Sequence, residues 1–195
     1  MEIKIDVPVG KKGIWEIDEF EISERQAQEF NMRALFQFSS SNSDRRVEAG
    51  TYKRLVRDGK DTIMSNTPAE INDCAHFIRM AHGKVLINGL GLGVVLTAIL
   101  KKKEIKSVVV IEKEKDVIDL VAPTFKDKRL TIINEDAYEY KPPKGERYDF
   151  VWHDIWDDLC SDNLELMGKL HRKYGRRTSW QDSWGKLICL HQRTR

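Results

Sequence analysis

The sequence predicts an α/β protein built on a doubly wound, mostly parallel sheet, shortened at its C-terminal end and preceded by a small β-rich segment. Two observations carry that expectation. From Lys84 onward, short unbroken apolar runs alternate with helical stretches, and such runs mark strands buried on both faces of a parallel sheet. A glycine-rich turn joins the first run to the first helix, where an open α/β sheet receives its ligand. Before residue 67 the texture differs, with apolar and polar residues partly alternating. The chain therefore divides into a β-rich N-terminal segment, 1–66, and an α/β domain, 67–195, that ends in a basic, tryptophan-containing tail.

The elements follow in order. Ile14, Trp15, Ile17, Phe20 and Ile22 form the pattern of short strands. The polar stretch 38–44 reads as a loop. Residues 52–56 and 62–64 flank Arg57-Asp58-Gly59-Lys60, a hairpin that turns on Asp-Gly. Thr67 then caps a helix, Pro68 suits its first turn, and Glu70 completes a capping box by reaching back to the Thr67 amide. Ile71, Cys74 or Ala75, Ile78 and Ala81 recur at helical spacing, and Gly83 ends the helix. Residues 85–87 are the first buried strand, 94–100 a helix, 108–111 the second strand and 116–121 another helix. Residues 130–133 and 148–153 give the third and fourth strands. Asp162, with Glu165 three residues on, opens a helix toward Tyr174, and 187–190 is the last strand.

Composition narrows the function classes. Of 195 residues, 41% are hydrophobic and 33% charged, the profile of a soluble globular chain. No apolar run reaches the roughly 18 residues that span a bilayer, and Met1 to Asp6 has none of the features of a secretory signal. Cys74, Cys160 and Cys189 are odd in number and scattered, as expected of reduced thiols in a cytoplasmic protein. Net charge is +2, yet residues 169–195 hold eight Lys or Arg against one acid, Asp182, a balance of +7 against −5 for the rest. Such a tail suits an anionic partner or, equally, a solvated terminal helix and strand. Arginines beside Trp180 and Trp184 make nucleic acid a possible partner. The same tryptophans serve as anchors packing the tail onto the domain, the favoured role.

The chemistry concentrates in Asn88-Gly89-Leu90-Gly91-Leu92-Gly93. Glycines at alternate positions let the backbone turn tightly and approach a ligand, and the following helix offers it unpaired amides. Glu112 ends the next strand, nineteen residues beyond Gly93, where a carboxylate accepts both ribose hydroxyls of an adenine nucleoside. Asp136 follows the third strand, placed either to meet the adenine amine or to cap a turn. Val94 stands where a dinucleotide fingerprint wants Gly or Ala, which disfavours NAD, and the Gly-Lys-Ser/Thr of a nucleoside triphosphate loop does not occur.

Residues 85–158 resemble the cofactor half of the class I S-adenosylmethionine-dependent methyltransferases, and within them the spermidine-synthase-like branch. The matching pieces are Val85-Leu86-Ile87 with the glycine turn, Val110-Ile111-Glu112-Lys113-Glu114, Asp127-Lys128-Arg129-Leu130, Asp136-Ala137, and Tyr148-Asp149-Phe150-Val151. The resemblance implies a Rossmann-like domain that binds S-adenosylmethionine. It assigns the methionine end to Asn88, Gly89, Leu90, Gly91 and Gly93, the ribose to Glu112 with Lys113, and the adenine to Asp136 with Ala137. It also implies two acids for polyamine chemistry, Asp154 to deprotonate an attacking amine and contact the cofactor, and Asp157 to bind the amine. Two departures favour methyl over aminopropyl transfer: Leu92 replaces an aspartate that recognises the donor's amino group, and Asp158 replaces a proline. Only about forty residues follow Asp154, so the sheet is expected to end early, with an edge covered by the N-terminal segment or by a second copy of the chain.

The expected function is thus S-adenosylmethionine binding with methyl transfer to a small-molecule acceptor that the sequence does not name. The alternatives are aminopropyl transfer and a non-catalytic adenosyl-binding or assembly role. Asp-Pro-Pro-Tyr and Pro-Cys signatures of nucleobase methylation do not occur, and the five histidines show no metal spacing. His153 lies near the predicted cleft, either as an acid or base or as a structural residue.

Overall fold

A computed structural model of the chain describes residues 3–37 and 46–193; the stretch 38–44, expected to be a loop, lies outside the described residues. Strands β1 (Gly10–Lys12), β2 (Trp15–Ile22), β3 (Gly50–Arg57) and β4 (Asp61–Ser65) form an antiparallel sheet in that order. The alternation of β2 turns Trp15 and Ile17 into the core and Glu16 and Asp18 outward. Asp58 and Gly59 at the β3–β4 turn both take positive φ, the backbone that Asp-Gly tolerates best.

Helix α1 (Glu24–Gln37) interrupts this sheet between β2 and β3, where the sequence analysis had only strands and a loop. Its start was readable. Ser23 and Gln26 form the reciprocal capping box, with Ser23 N donating to Gln26 Oε1 (2.9 Å) and Gln26 N to Ser23 Oγ (3.3 Å). The apolar stripe behind that cap is weak, since Phe30 and Met32 are exposed, so periodicity does not announce the helix. Helix α2 (Pro68–Met80) begins as expected, but the predicted box is shifted. Glu70 accepts from Ser65 N (2.7 Å) and Ser65 Oγ (2.8 Å) instead of the Thr67 amide, tying the helix to the end of β4.

The second sheet is fully parallel: β5 (Gly83–Asn88), β6 (Ile105–Glu112), β7 (Leu130–Asn134), β8 (Tyr148–His153) and β9 (Thr178–Ser183), in the order β7-β6-β5-β8-β9. Helices α3 (Val94–Leu100), α4 (Lys115–Val121), α5 (Asn163–Tyr174) and α6 (Lys186–Arg193) complete it. Residues of α2, α3 and α4 share one core with Val85, Ile87 and Val110, whereas α5 and α6 share the other with Leu86, Ile111 and Val151. This is the doubly wound, Rossmann-like arrangement, and its strand order reverses between β5 and β8, where such sheets bind ligands.

The last strand is misplaced in the sequence reading. Residues 187–190 lie in α6, and β9 is the polar stretch Thr178–Ser183. A four-residue apolar run does not separate strand from helix; here only Cys189 of α6 is buried, and Leu187 stays 69% exposed. In β9, Trp180 stacks on Phe77 (5.9 Å) and lies tilted against Phe150 (5.5 Å), which is the anchoring role. Basic residues of this region also hold the fold: Lys173 Nζ donates to the carbonyls of Ala137 (2.9 Å) and Tyr138 (2.7 Å). Among the described residues β9 pairs only with β8. The antiparallel sheet lies elsewhere, packed on α4 through Lys12 and Asp119 and over the carboxyl ends of β5, β6 and β8. Cys74, Cys160 and Cys189 are unbridged, and among the described residues no helix is long and apolar enough to cross a membrane.

Candidate active site

The strand reversal brings the glycine turn after β5 against the loop after β8. A Cβ on Gly89 would stand 1.9 Å from the Asp154 carbonyl oxygen, and Asp154 N donates to Asn88 O (2.8 Å). Gly89, Gly91 and Gly93 all have positive φ. Only glycine meets both demands at Gly89.

Over this junction a cavity of about 210 Å³ is closed by the antiparallel sheet. Its floor holds Gly89, Gly91, Glu112, Lys113, Asp136, Ala137, Asp154 and Asp157, eight of the predicted site residues. Its roof is Trp15, Leu55, Arg57, Ile63 and Met64. The volume is below the roughly 300 Å³ at which ligand pockets usually begin.

Glu112 is buried, and its two oxygens accept from Leu90 N (2.8 Å) and Glu114 N (2.9 Å). Burial raises its pKa, against the pull of these two amides. A carboxylate has about four acceptor positions, so the same group holds the glycine turn and keeps capacity for two hydroxyl donors. Asp136 Oδ1 accepts from Tyr138 N (2.7 Å), the turn-capping arrangement, while its side chain also borders the cavity. Two acceptor-only groups at adjacent strand ends, between apolar walls of Ile111, Val117 and Ile155, fit the hydroxyl and amine donors of an adenosine.

Asp154 stands where three spaces meet, lining the large cavity and two small ones of about 10 and 20 Å³. Each small space has room for about one water. Burial raises its carboxyl to about 7; the Trp152 indole opposes this, and the neighbouring carboxylates Glu70 and Asp73 add to it. Glu70, Cys74, Trp156 and Trp184 line the 20 Å³ space beside it. The second predicted acid is already engaged: Asp157 accepts from Arg57 NH1 at 2.7 Å, a half-exposed pair linking roof to floor.

Three predicted residues are not at the large cavity. Leu90 lines the 10 Å³ space, and Gly93 lies outside all these spaces, with Phe125 packed against it. Asn88 is fully buried with its amide turned into the core, where Nδ2 donates to His153 Nδ1 (2.7 Å). His153 Nε2 then donates to Gln181 Oε1 (3.2 Å). Burial lowers His153 to about 3, so the imidazole is neutral and structural. No roof residue is among those that the sequence singles out for the site. The Asp-Gly hairpin that carries Arg57 and Met64 was visible, but not which side chains it turns inward.

The strand order and the cleft define a Rossmann-like domain with a cavity at its switch point. No family model matches the chain. Its resemblance to the spermidine-synthase-like branch is borne out by its relatives. It is similar to the polyamine aminopropyltransferase of Hydrogenobaculum sp. (strain Y04AAS1), 33% identical over 94 residues, which cover 43% of this chain and 34% of that protein. That of Aeropyrum pernix is 28% identical over 124 residues, 57% of this chain and 40% of that one. The crystal structure of spermidine synthase from Thermotoga maritima superposes with a TM-score of 0.46 at 19% identity, covering 88% of this chain and 55% of that one. The chain thus spans well under half the length of these two curated relatives.

Proposed function

We propose that this chain is a transferase that moves an alkyl group from an adenosyl sulfonium to an amine, with Asp154 as general base. One observation carries the reading: a carboxyl raised to about 7 stands beside the nucleoside-type cavity at the strand reversal. A base is most useful when its pKa lies near the working pH. The bound sulfonium supplies the electrophilic carbon. Asp154 takes the proton released as the amine nitrogen bonds to that carbon and the carbon–sulfur bond breaks. Glu112 accepts from the ribose hydroxyls, Asp136 from the adenine amine, and the roof excludes water from the reacting centre.

Aminopropyl transfer is the better supported form. The side chains lining the two small spaces at Asp154 include Glu70 and, among the described residues, no lysine or arginine. That field suits a cationic aminopropyl arm and a cationic acceptor, and opposes the carboxylate of S-adenosylmethionine. Leu92 favours the second form, methyl transfer, because it removes a counter-charge for the arm. The test is incubation with aliphatic diamines and either S-adenosylmethionine or its decarboxylated form, with products weighed by mass spectrometry. An aminopropyl adduct from the decarboxylated donor is expected, and a methyl adduct selects the second form. Tight binding of both donors with no transfer to any amine contradicts the proposal.

A further inference from the structure

The glycine turn is occupied by the chain itself. Met64, on β4, seats its thioether on the turn: Leu92 N donates to Met64 Sδ at 3.3 Å, and a Cβ on Gly91 would stand 2.5 Å from that sulfur. Other amides of the turn are engaged internally, Gly89 N with Ile111 O (2.8 Å), Leu90 N with Glu112 Oε2 (2.8 Å) and Gly93 N with Leu90 O (2.9 Å). Leu92 N differs in that, among the described residues, its partner is a thioether, a weak acceptor. Met64 lines the large cavity and both small ones, so its side chain stands with Asp154 where the three spaces meet.

We infer that Met64 is a specificity-determining residue that decides which arm on the ligand's 5′ carbon the glycine turn admits. A nucleoside enters the large chamber with Met64 in place. A ligand with a long arm on sulfur must expel the Met64 thioether from the turn, which takes the acceptor from the Leu92 amide. Methionine suits this work because its unbranched, flexible side chain repacks readily. The cost of that displacement falls on long-armed ligands alone, and lowers their apparent affinity by the fraction of molecules with the turn open.

The inference rests on the adenosyl-ligand reading, and the test separates the two. Calorimetric titration compares 5′-methylthioadenosine with decarboxylated S-adenosylmethionine on the native chain and on Met64→Ala. The substitution is expected to strengthen binding of the long-armed ligand about tenfold or more, with the nucleoside thioether within about twofold of its native affinity. Equal changes for both ligands, or none, overturn the role of Met64 while leaving the adenosyl reading intact. Failure of either protein to bind any adenosyl ligand overturns both. Methyl-13C methionine spectra of the native chain give a second readout that needs no stable variant, with the Met64 signal assigned by Met64→Leu. That signal should move on adding the long-armed ligand and stay nearly fixed with adenosine; the reverse pattern sinks the inference.

Discussion

The floor of the cleft is made of strand ends, and its roof is an antiparallel hairpin laid across them. On the floor Glu112 ends β6, and Asp136 and Asp154 follow β7 and β8, so parallel-sheet topology fixes where they stand. Arg57 and Met64 on the roof reach the cleft through packing between two sheets. Floor positions are therefore fixed within one parallel sheet, whereas roof positions, paired within their own sheet, meet the floor through side-chain contacts. Floor groups are suited to chemistry that tolerates little displacement, and roof groups to adjusting what enters.

The sharpest way to break that division is Asp154→Asn. Transfer should fall by roughly 10²–10⁴-fold, the usual worth of a positioned base, with adenosyl-ligand binding retained. The same variant changes stability in a defined direction. The folded pKa of Asp154, about 7, stands above its ordinary 3.8, so the folded state holds the proton more tightly. Its contribution to stability is whole below pH 3.8 and is lost as pH rises to about 7. Each tenfold difference in proton affinity between the folded and unfolded states is worth about 1.4 kcal/mol. Denaturant titrations should therefore find the variant several kcal/mol less sensitive to pH across that window. Native-like transfer by the variant would remove Asp154 from the mechanism.

His153→Phe probes the floor without touching its chemistry. It strands the buried Asn88 amide, at a cost of about 1–3 kcal/mol, and takes a partner from the half-buried Gln181, and should lower the unfolding midpoint. The pH profile of transfer should keep its shape, because His153 is neutral above about pH 3. A lost or shifted limb would make it an acid or base after all.

Arg57→Ala should have the smallest effect. The pair with Asp157 is 31% and 46% exposed on its two sides, so its loss should cost under about 1 kcal/mol of stability. Ligand association and release, followed by stopped-flow fluorescence of Trp15 and Trp156 in the cleft, should both become faster as the roof loosens. A collapse of stability would mean that the roof is as rigid as the floor.

The same division explains what the sequence made legible. The buried strands, the glycine turn, Glu112, Asp136 and Asp154 could be read because parallel strands are apolar throughout and end where topology places ligands. The direction of the Asn88 amide could not be read from its position beside the turn, since its partner His153 is 65 residues away and nothing local shows that the amide faces inward. β9 was hidden because its outward-looking composition serves an aromatic stack on one face and the His153–Gln181 bond on the other. Helix α1 lacked a strong apolar stripe, although Ser23 and Gln26 announced its cap. The thioether of Met64 on the turn is a tertiary contact between elements whose pairing no periodicity predicts.

The most direct test of the central claim is calorimetric titration of the native chain and of Glu112→Ala with S-adenosylmethionine, its decarboxylated form and NAD. Binding of an adenosyl sulfonium by the native chain, its loss in Glu112→Ala, and no binding of NAD are the predicted result. Preference for NAD, or equal sulfonium binding by both proteins, would contradict the assignment of Glu112 and of the cleft it anchors.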